Sequence, residues 1–214
     1  MVLKFYGYTH STAAKIVAMV LREKQIPYEY IPIDLGTREN RASEYLALQP
    51  FGQVPTIDDD GFILYESRAI ARYLVENYPG QGTELIPSDP KKRALFDQAA
   101  SVEAFCFDHY VNPIILEGLL PKIRGQPYNE ERIKQLADDL SKRLDVYDQI
   151  LSKQKYIAGD ELTLADLYHL PGGSLLPLVG INVIQEKPNV ARWFNEISNL
   201  DSWKKVKDGL PGAN

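Results

Sequence analysis

The sequence predicts an α/β domain followed by an all-α domain, and three observations lead to this prediction. The first half alternates strand-like and helix-like segments, the second half shows almost only helical periodicity, and a stretch rich in proline and glycine separates them. At 214 residues the chain has room for two small domains. We therefore expect an α/β domain over residues 1–80, a linker over 81–90 and a helical domain over 91–214.

The first half begins with a strand–helix–strand unit. Residues 2–8 alternate and are β-prone, residues 11–24 carry apolar side chains at helical spacing, and residues 28–35 return to a strand pattern. Two strands joined through a helix in this way lie parallel, with a right-handed crossover. Residues 39–48 predict a further helix.

A hairpin and a helix complete this domain. Residues 54–58 and 62–65 predict two strands joined by a turn at Gly61, and residues 67–77 have the apolar spacing of a helix. The predicted order is βαβαββα. The antiparallel hairpin, added to the parallel pair, gives a four-stranded mixed sheet.

The second half is predicted to be helical after a loop. Residues 78–90 contain three prolines and two glycines, which is typical of a connection between domains. Pro113 is expected to kink or break the first long helix, since proline cannot donate a backbone hydrogen bond. Thr163 and Asp166 predict a capping box at a helix start, which is a structural role. The predicted helices cover residues 91–120, 129–152, 163–170 and 188–199.

The composition excludes several classes of function. The net charge is −5 and no long run of Lys or Arg is present, so we expect no nucleic-acid partner. The first residues lack the architecture of a signal peptide, and proline and glycine interrupt the longest apolar stretch, 170–184, so we expect no membrane association. The single cysteine, Cys106, cannot form an internal disulfide, which fits a reducing, cytoplasmic location.

One short segment, residues 49–67, offers three kinds of ligand contact. A polar pair at 53–54 precedes Pro55, and Glu66 and Ser67 follow the hairpin at a helix start. Glu66 can bind a positive amino group, while the Ser67 hydroxyl and the free N–H groups of the helix start can bind a carboxylate. This pattern predicts a site for a small zwitterionic peptide.

Three strings of residues carry a resemblance to a known family. They are Gly-Tyr-Thr-His-Ser at 7–11, Gln-Pro-Phe-Gly-Gln-Val-Pro at 49–55 and Phe-Ile-Leu-Tyr-Glu-Ser-Arg-Ala-Ile at 62–70. Together with the two predicted halves, they resemble the cytosolic glutathione transferases, and most closely the phi-like, serine-type group. The resemblance covers essentially the whole chain. It implies a thioredoxin-like N-terminal domain and a C-terminal α-helical bundle.

The resemblance also implies a chemistry. It implies an enzyme that conjugates reduced glutathione, as co-substrate, to small hydrophobic electrophiles, with reduction of organic hydroperoxides as a second activity. It implies a homodimer that needs no cofactor and no metal. The alternative is a non-catalytic carrier of hydrophobic ligands, or an assembly module, with the same fold. Such a module need not keep the set formed by Ser11, Gln53, Glu66 and Ser67.

Ser11 matches the family's position for a serine that donates a hydrogen bond to the glutathione sulfur. A hydroxyl donor and a helix N-terminus both favour the thiolate, which is the nucleophile. Serine also favours the N-cap position for structural reasons, and both roles can hold at once. The Thr12 hydroxyl is the rival donor, and His10 lies near enough to line the electrophile pocket.

Further glutathione contacts follow from the same resemblance. The Val54–Pro55 bond matches the family's cis-proline element, whose backbone pairs with the cysteinyl part of the peptide. An ordinary proline at a strand start is the alternative. Gln53 would contact the peptide backbone or the γ-glutamyl carboxylate. Glu66 and Ser67 would bind the γ-glutamyl group, with an exposed carboxylate and a helix cap as the alternative.

Asn40 and Arg41 stand where the family commonly places a His-Lys type pair that reaches the glycyl carboxylate. Arg41 keeps the positive charge, while Asn40 keeps only a hydrogen-bond donor. A surface arginine without a ligand is the alternative. Phe51 is predicted to insert into a partner subunit of a two-fold dimer, and Cys106 is predicted to be a buried structural cysteine. The predicted wall of the electrophile pocket, for which core packing is an equal explanation, consists of Phe107, Tyr110, Ile114 and Tyr168.

Overall fold

The computed structural model describes residues 2–210, and their contacts divide into two compact units. The first unit contains residues 2–86 together with residues 200–210, and the second contains residues 87–199. The boundary between residues 86 and 87 falls inside the predicted linker.

Residues 200–210 belong to the first unit rather than to the helical one. The predicted helical domain, 91–214, includes residues 200–210, which the contacts assign to the first unit. The reason is that Trp203 and Val206 are buried there. Residues 1 and 211–214 of the predicted ranges lie outside the described residues. The binding roles assigned to the two domains stay predictions.

The first unit has the predicted βαβαββα order. Its elements are β1 (Leu3–Gly7), α1 (Thr12–Glu23), β2 (Tyr28–Pro32), α2 (Ser43–Leu46), β3 (Thr56–Asp59), β4 (Phe62–Tyr65) and α3 (Ser67–Asn77). The four strands form one sheet in the order β2-β1-β3-β4. β1 is parallel to β2 and antiparallel to β3, and β3 is antiparallel to β4, so the mixed sheet is confirmed.

The core of the first unit follows from the periodicity of its elements. Leu3, Phe5 and Gly7 of β1 are buried, whereas Lys4 and Tyr6 between them are partly exposed, as the period of a strand requires. α1 and α3 pack against each other. Val17 and Leu74 are among the fully buried residues of these two helices.

The predicted helix over 39–48 is interrupted. A 3₁₀ turn covers Glu39–Arg41, and α2 begins only at Ser43, because Ala42 between them is extended, with φ −67° and ψ 148°. Arg38, before the turn, has a left-handed backbone with φ 65°. The side chains of this 3₁₀ turn therefore project from an irregular segment rather than from a helix.

The second unit is helical, as predicted, and contains the capping box at Thr163 and Asp166. Within residues 2–210, no helix is both long enough and apolar enough to cross a bilayer. The helices of this unit are α4 (Pro90–Val102), α5 (His109–Pro113), α6 (Leu120–Ile123), α7 (Glu130–Leu151), α8 (Leu164–Gly173) and α9 (Pro188–Ser198), and the short α10 (Asp201–Lys204) follows in the first unit.

The chain remains helical on both sides of Pro113. The helical path continues from Pro90 to Ile123, with π-helical segments at Glu103–Asp108 and Ile114–Leu119 on either side of α5. Proline removes one backbone donor from the ladder, and the wider π turns beside it keep the path helical despite that loss.

Candidate active site

The register of the sheet brings the predicted site residues to one end of it. Tyr6 pairs with Thr56, and Thr56 pairs with Tyr65. The neighbouring residues at this end are Gly7, the last residue of β1, and Pro55 and Glu66, which lie just outside β3 and β4. The segment leading to Ser11, the Val54–Pro55 bond and the start of α3 therefore leave the sheet together. This convergence is a consequence of strand pairing, which no local sequence pattern specifies.

Ser11 is the N-cap of α1. Its backbone is extended (φ −68°, ψ 124°), and its Oγ accepts a hydrogen bond from the Ala14 N–H at 3.2 Å. A hydroxyl can accept and donate at the same time. The hydroxyl hydrogen has no acceptor among the described residues, so it is free to donate to a ligand. No acidic residue lies in the first turn of α1, so nothing there opposes an anion at the positive end of the helix.

Thr12 and His10 flank this serine. Thr12 is the first residue of α1 and is partly exposed, and its hydroxyl has no hydrogen bond to another residue between 2 and 210. His10 is exposed and packs edge-on against Tyr8, with ring centroids 5.7 Å apart. Both residues therefore lie at the same helix start as Ser11.

The Val54–Pro55 peptide bond is cis, as the resemblance implies. Val54 lies just before β3, and within the described part of the chain neither its N–H nor its carbonyl makes a hydrogen bond. Gln53 is exposed. The segment therefore presents unpaired backbone groups and a free amide side chain beside the start of α3.

Two buried residues that the sequence analysis missed hold this segment. The Tyr45 hydroxyl donates to the Gln53 carbonyl at 2.7 Å and lies 3.1 Å from the Thr56 hydroxyl. The Gln49 side-chain oxygen accepts from the Gln53 N–H at 3.2 Å. Burial raises the pKa of Tyr45, which keeps its hydroxyl protonated and able to donate. The only sequence signal was that Gln49 opens one of the three strings that carry the family resemblance.

The side chains of Asn40 and Arg41 each donate a hydrogen bond to the backbone of the loop that precedes Gln53. Asn40 Nδ2 donates to the Gly52 carbonyl at 2.7 Å, and an Arg41 guanidinium nitrogen donates to the Phe51 carbonyl at 3.0 Å. Gly52 has φ +60°, and a Cβ there would lie 2.8 Å from the Asn40 backbone carbonyl, so glycine is required for this approach. The remaining guanidinium donors of Arg41, which is exposed, stay available.

Glu66 and Ser67 start α3 in an unusual backbone geometry. Glu66 is exposed and has φ 72° and ψ 109°, which is rare for a residue with a side chain. Such a conformation costs about 1–3 kcal/mol and is typical of ligand sites. Ser67 is only 7% exposed and is the first residue of the helix, not its cap. A carboxylate and a hydroxyl thus stand beside the free N–H groups of an 11-residue helix.

The candidates for the electrophile wall lie in the second unit. Phe107, Ile114 and Tyr168 are buried, which favours core packing for these three. Tyr110 is partly exposed, and its hydroxyl accepts from Arg143 at 3.4 Å. The predicted burial of Cys106 is wrong: its side chain is partly exposed, because it lies in a π-helical segment between exposed Phe105 and buried Phe107.

Phe51 is 61% exposed, and its ring packs edge-on against Tyr65 with centroids 6.1 Å apart. A large apolar side chain this exposed beside the candidate site is available for contact with another surface. Within residues 2–210, no group of three or more His, Cys, Asp or Glu side chains could hold a metal ion.

Comparison with known proteins identifies the family. The profile described as Glutathione S-transferase, N-terminal domain, matches residues 5–82, and the one described as Glutathione S-transferase, C-terminal domain, matches residues 110–201. Glutathione S-transferase hmp2 of Hypomyces subiculosus is 43% identical over 211 residues, which cover 96% of this chain and 98% of the relative. The chain belongs to the glutathione S-transferase family.

This transferase has phi-class relatives. Glutathione S-transferase F12 of Arabidopsis thaliana is 38% identical over 96% of this chain and 97% of its own. The crystal structure of glutathione transferase F7 from Populus trichocarpa superposes with a TM-score of 0.92 at 36% identity, covering 96% of this chain and 97% of that one. The predicted family, fold and enzyme class are confirmed. The protein is a glutathione transferase, with glutathione as its co-substrate.

Proposed function

We propose that Ser11 activates the glutathione sulfur in this transferase. The observation that carries the proposal is the Ser11 hydroxyl, which caps α1 through an accepted hydrogen bond and keeps its own hydrogen free. A cysteine thiol ordinarily has a pKa near ~8.5, so only a small fraction is ionised at neutral pH. A donated hydrogen bond and the positive end of α1 both stabilise the thiolate and lower that pKa.

The same end of the sheet supplies a binding group for each part of the peptide. The Glu66 carboxylate binds the α-amino group of the γ-glutamyl residue, and the Ser67 hydroxyl with the N-terminal amides of α3 binds its α-carboxylate. The unpaired backbone groups of Val54 pair with the cysteinyl residue, and Gln53 contacts the peptide backbone or the γ-glutamyl carboxylate. The rare backbone of Glu66 supports a binding role, because strain of this kind is tolerated where a ligand needs it.

The glycyl carboxylate is bound by Arg41, with Asn40 beside it. Each of these two side chains donates one hydrogen bond to the loop that precedes Gln53. A guanidinium has five donors, so Arg41 retains enough of them for a two-point contact with a carboxylate. Glutathione bound in this way extends along the site with its sulfur at Ser11.

Conjugation then requires a bound electrophile near that sulfur. The thiolate attacks the electrophilic carbon and forms a carbon–sulfur bond, and either a leaving group departs with the bonding electrons or the adduct takes up a proton. The enzyme contributes a higher fraction of thiolate and a fixed position for the nucleophile. In the first unit, exposed His10 is the candidate for a contact with the electrophile. In the second unit, Tyr110 is the accessible candidate, since Phe107, Ile114 and Tyr168 are buried.

Ser11→Ala tests the central assignment. The absorbance of the bound thiolate is followed against pH, together with kcat and KM for glutathione with a standard chlorinated aromatic electrophile. The variant is expected to raise the thiol pKa and lower kcat on the order of 100-fold, with KM nearly unchanged, since the lost donor acts on the anion.

Thr12→Val is the matched control, because it removes the neighbouring hydroxyl from the same helix start. We expect Thr12→Val to leave the pKa of the bound thiol at its wild-type value. A wild-type titration for Ser11→Ala, with the shift appearing in Thr12→Val instead, would assign the donor role to Thr12.

Reduction of organic hydroperoxides is a second activity that the same donor would serve. The thiolate attacks the terminal peroxide oxygen, the alcohol leaves, and a second glutathione converts the resulting sulfenic acid to the disulfide with release of water. A homodimer anchored through Phe51 and a cytoplasmic location complete the proposal. They are supported by the exposure of that ring and by the single cysteine of the chain.

A further inference from the structure

The last described part of the chain, residues 200–210, runs along α1 within the first unit. We call it the C-terminal segment. α10 packs on α1, and three hydrogen bonds hold the segment against this helix and the turn before it. The bonds are Ser202 Oγ to the Glu23 carboxylate, Lys15 Nζ to the Lys207 carbonyl at 2.7 Å, and the Leu210 N–H to Thr9 Oγ1 at 2.9 Å.

The partners of these three bonds show that the C-terminal segment runs antiparallel to α1. Its start lies at the end of the helix, its middle lies beside Lys15, and its end reaches Thr9 in front of the helix. Trp203, Val206 and Leu210 are all buried, so apolar packing fixes the segment between its polar contacts. The segment is therefore an ordered part of the first unit and ends next to the candidate site.

Thr9 belongs to the turn that carries Ser11. The Ser11 N–H donates to the Tyr8 carbonyl at 3.0 Å, which closes a turn with Thr9 and His10 at its centre. Within this turn the Thr9 side chain bonds to the C-terminal segment, whereas the Ser11 side chain bonds to α1 through the Ala14 N–H. The Leu210 N–H thus fastens the turn two residues before the serine.

The Lys15 side chain, one turn into α1, makes a second hydrogen bond to the C-terminal segment. The residue is only 7% exposed, and its ammonium donates to the Lys207 carbonyl. Burial lowers the pKa of Lys15, while the charge of Asp208 raises it by a smaller amount. Burial of an ammonium group is costly unless it is hydrogen-bonded. Displacement of the C-terminal segment would leave this group without its carbonyl, so the bond resists such movement.

We infer that Thr9 and Lys15 are positioning residues of the transferase reaction, which hold the Ser11 hydroxyl in place by fastening the turn before it and α1 to the C-terminal segment. The inference rests on the Ser11 role proposed above. A hydrogen bond weakens steeply with misalignment. A displacement of the turn by less than 1 Å therefore reduces the stabilisation of the thiolate without removing any group that binds glutathione.

Thr9→Val tests this inference because valine has nearly the shape of threonine but lacks the acceptor for the Leu210 N–H. It is expected to raise the pKa of the bound thiol and lower kcat on the order of ten-fold, with KM for glutathione nearly unchanged. Thr9→Ser keeps the acceptor and is expected to restore both. Lys15→Met removes the other fastening and is expected to act in the same direction.

Two further variants separate positioning from stability. Gly209→Ala removes no polar group, but Gly209 has φ +157°, which strains any residue with a side chain, and the new Cβ would lie 2.9 Å from Thr9 Oγ1, so alanine would push the segment away from the turn. It should reproduce the Thr9→Val effect, and it remains informative if Thr9→Val fails to fold. Ser202→Ala is the matched control, because it frees the same segment at the far end of α1. It is expected to lower the melting temperature with no shift of the thiol titration.

Ser11→Ala is titrated in the same series. If it shifts the thiol pKa while Thr9→Val and Gly209→Ala keep the wild-type titration and kcat, the inference is overturned and the role of Ser11 stands. An equal shift in Ser202→Ala would also overturn it, since general loosening would then be the cause. If Ser11→Ala itself leaves the titration unchanged, the proposed function fails and the inference falls with it.

Discussion

Loss of the Asp166 side chain is expected to destabilise the fold strongly, and the surroundings of this residue allow the cost to be worked out. Its carboxylate is completely buried and accepts four hydrogen bonds. Oδ1 accepts from the Ile157 N–H and from Trp193 Nε1, both at 2.9 Å. Oδ2 accepts from the Thr163 N–H at 2.9 Å and from the Thr163 hydroxyl at 3.0 Å.

Asp166→Ala leaves these donors without acceptors. The threonine hydroxyl can rotate to another partner, but the other three donors are fixed in direction. Each buried, unsatisfied donor costs about 1–3 kcal/mol. Removal of a buried charge returns part of this, because burial raises the pKa of Asp166 and so disfavours its ionised form. We expect a net loss of about 3–5 kcal/mol, a large fraction of the ~5–15 kcal/mol that stabilises a typical protein.

Urea denaturation of the intact protein, followed by tryptophan fluorescence, measures this loss. Asp148→Ala is the matched control. The Asp148 carboxylate also accepts several hydrogen bonds, from Asn189 and Val190, but it is only partly buried. Water can replace it there, so a loss of about 1–2 kcal/mol is expected. If Asp166→Ala cost no more than Asp148→Ala, the reasoning from burial would be refuted.

The dependence on pH has a definite sign. The pKa of Asp166 is raised in the folded protein, so between the unfolded value near ~3.9 and the raised value the folded state holds the extra proton. In that window Asp166 makes the protein more stable as pH falls. The stability difference between the wild type and Asp166→Asn is therefore expected to grow as pH is lowered through the window. A difference that shrinks over the same range would contradict the assigned direction.

Three other predictions concern the ligand site and assembly. Glu66→Gln and Ser67→Ala should each weaken glutathione binding by about 1–3 kcal/mol in calorimetry, because each leaves a charged or polar group of the peptide unpaired; wild-type affinity in both would exclude this binding site. Phe51→Ala should shift the sedimentation coefficient toward the monomer, since an aromatic anchor can carry several kcal/mol of an interface, and an unchanged dimer would move the contact elsewhere. Substitution of Tyr110 should alter the ranking of electrophiles and leave glutathione affinity unchanged. Substitution of Ile114, which is buried, should mainly lower the stability of the protein.

Much of the fold follows from the sequence alone. The order of strands and helices, the hairpin at Gly61 and the capping box at α8 are set by local periodicity and by residues a few positions apart. The limits of most elements agree with the predicted ranges to within a few residues. Glu66 and Ser67 were predicted from their place between the hairpin and a helix start, whereas the role of Ser11 came from the family resemblance, because no local pattern distinguishes a ligand-binding serine from an ordinary helix cap.

Other features could not be predicted from the pattern of the sequence. The interrupted helix at Ala42, the π-helical segments beside Pro113, and the support of Gln53 by Tyr45 and Gln49 have no clear local signal. The left-handed backbone of Glu66 is equally absent from the pattern, since glycine would have been expected there. In each case the surrounding structure overrides the preference of the local chain.

The position of residues 200–210 shows this difference most clearly. Sequence periodicity correctly marks the second half as helical, yet it assigns the end of the chain to the helical domain. Leu210 meets Thr9 and Lys207 meets Lys15 across almost the full length of the chain. A hydrogen bond or a buried apolar contact over such a separation leaves no periodic trace in either segment. The sequence by itself therefore determined which elements form, while tertiary packing decided which of them meet at Ser11.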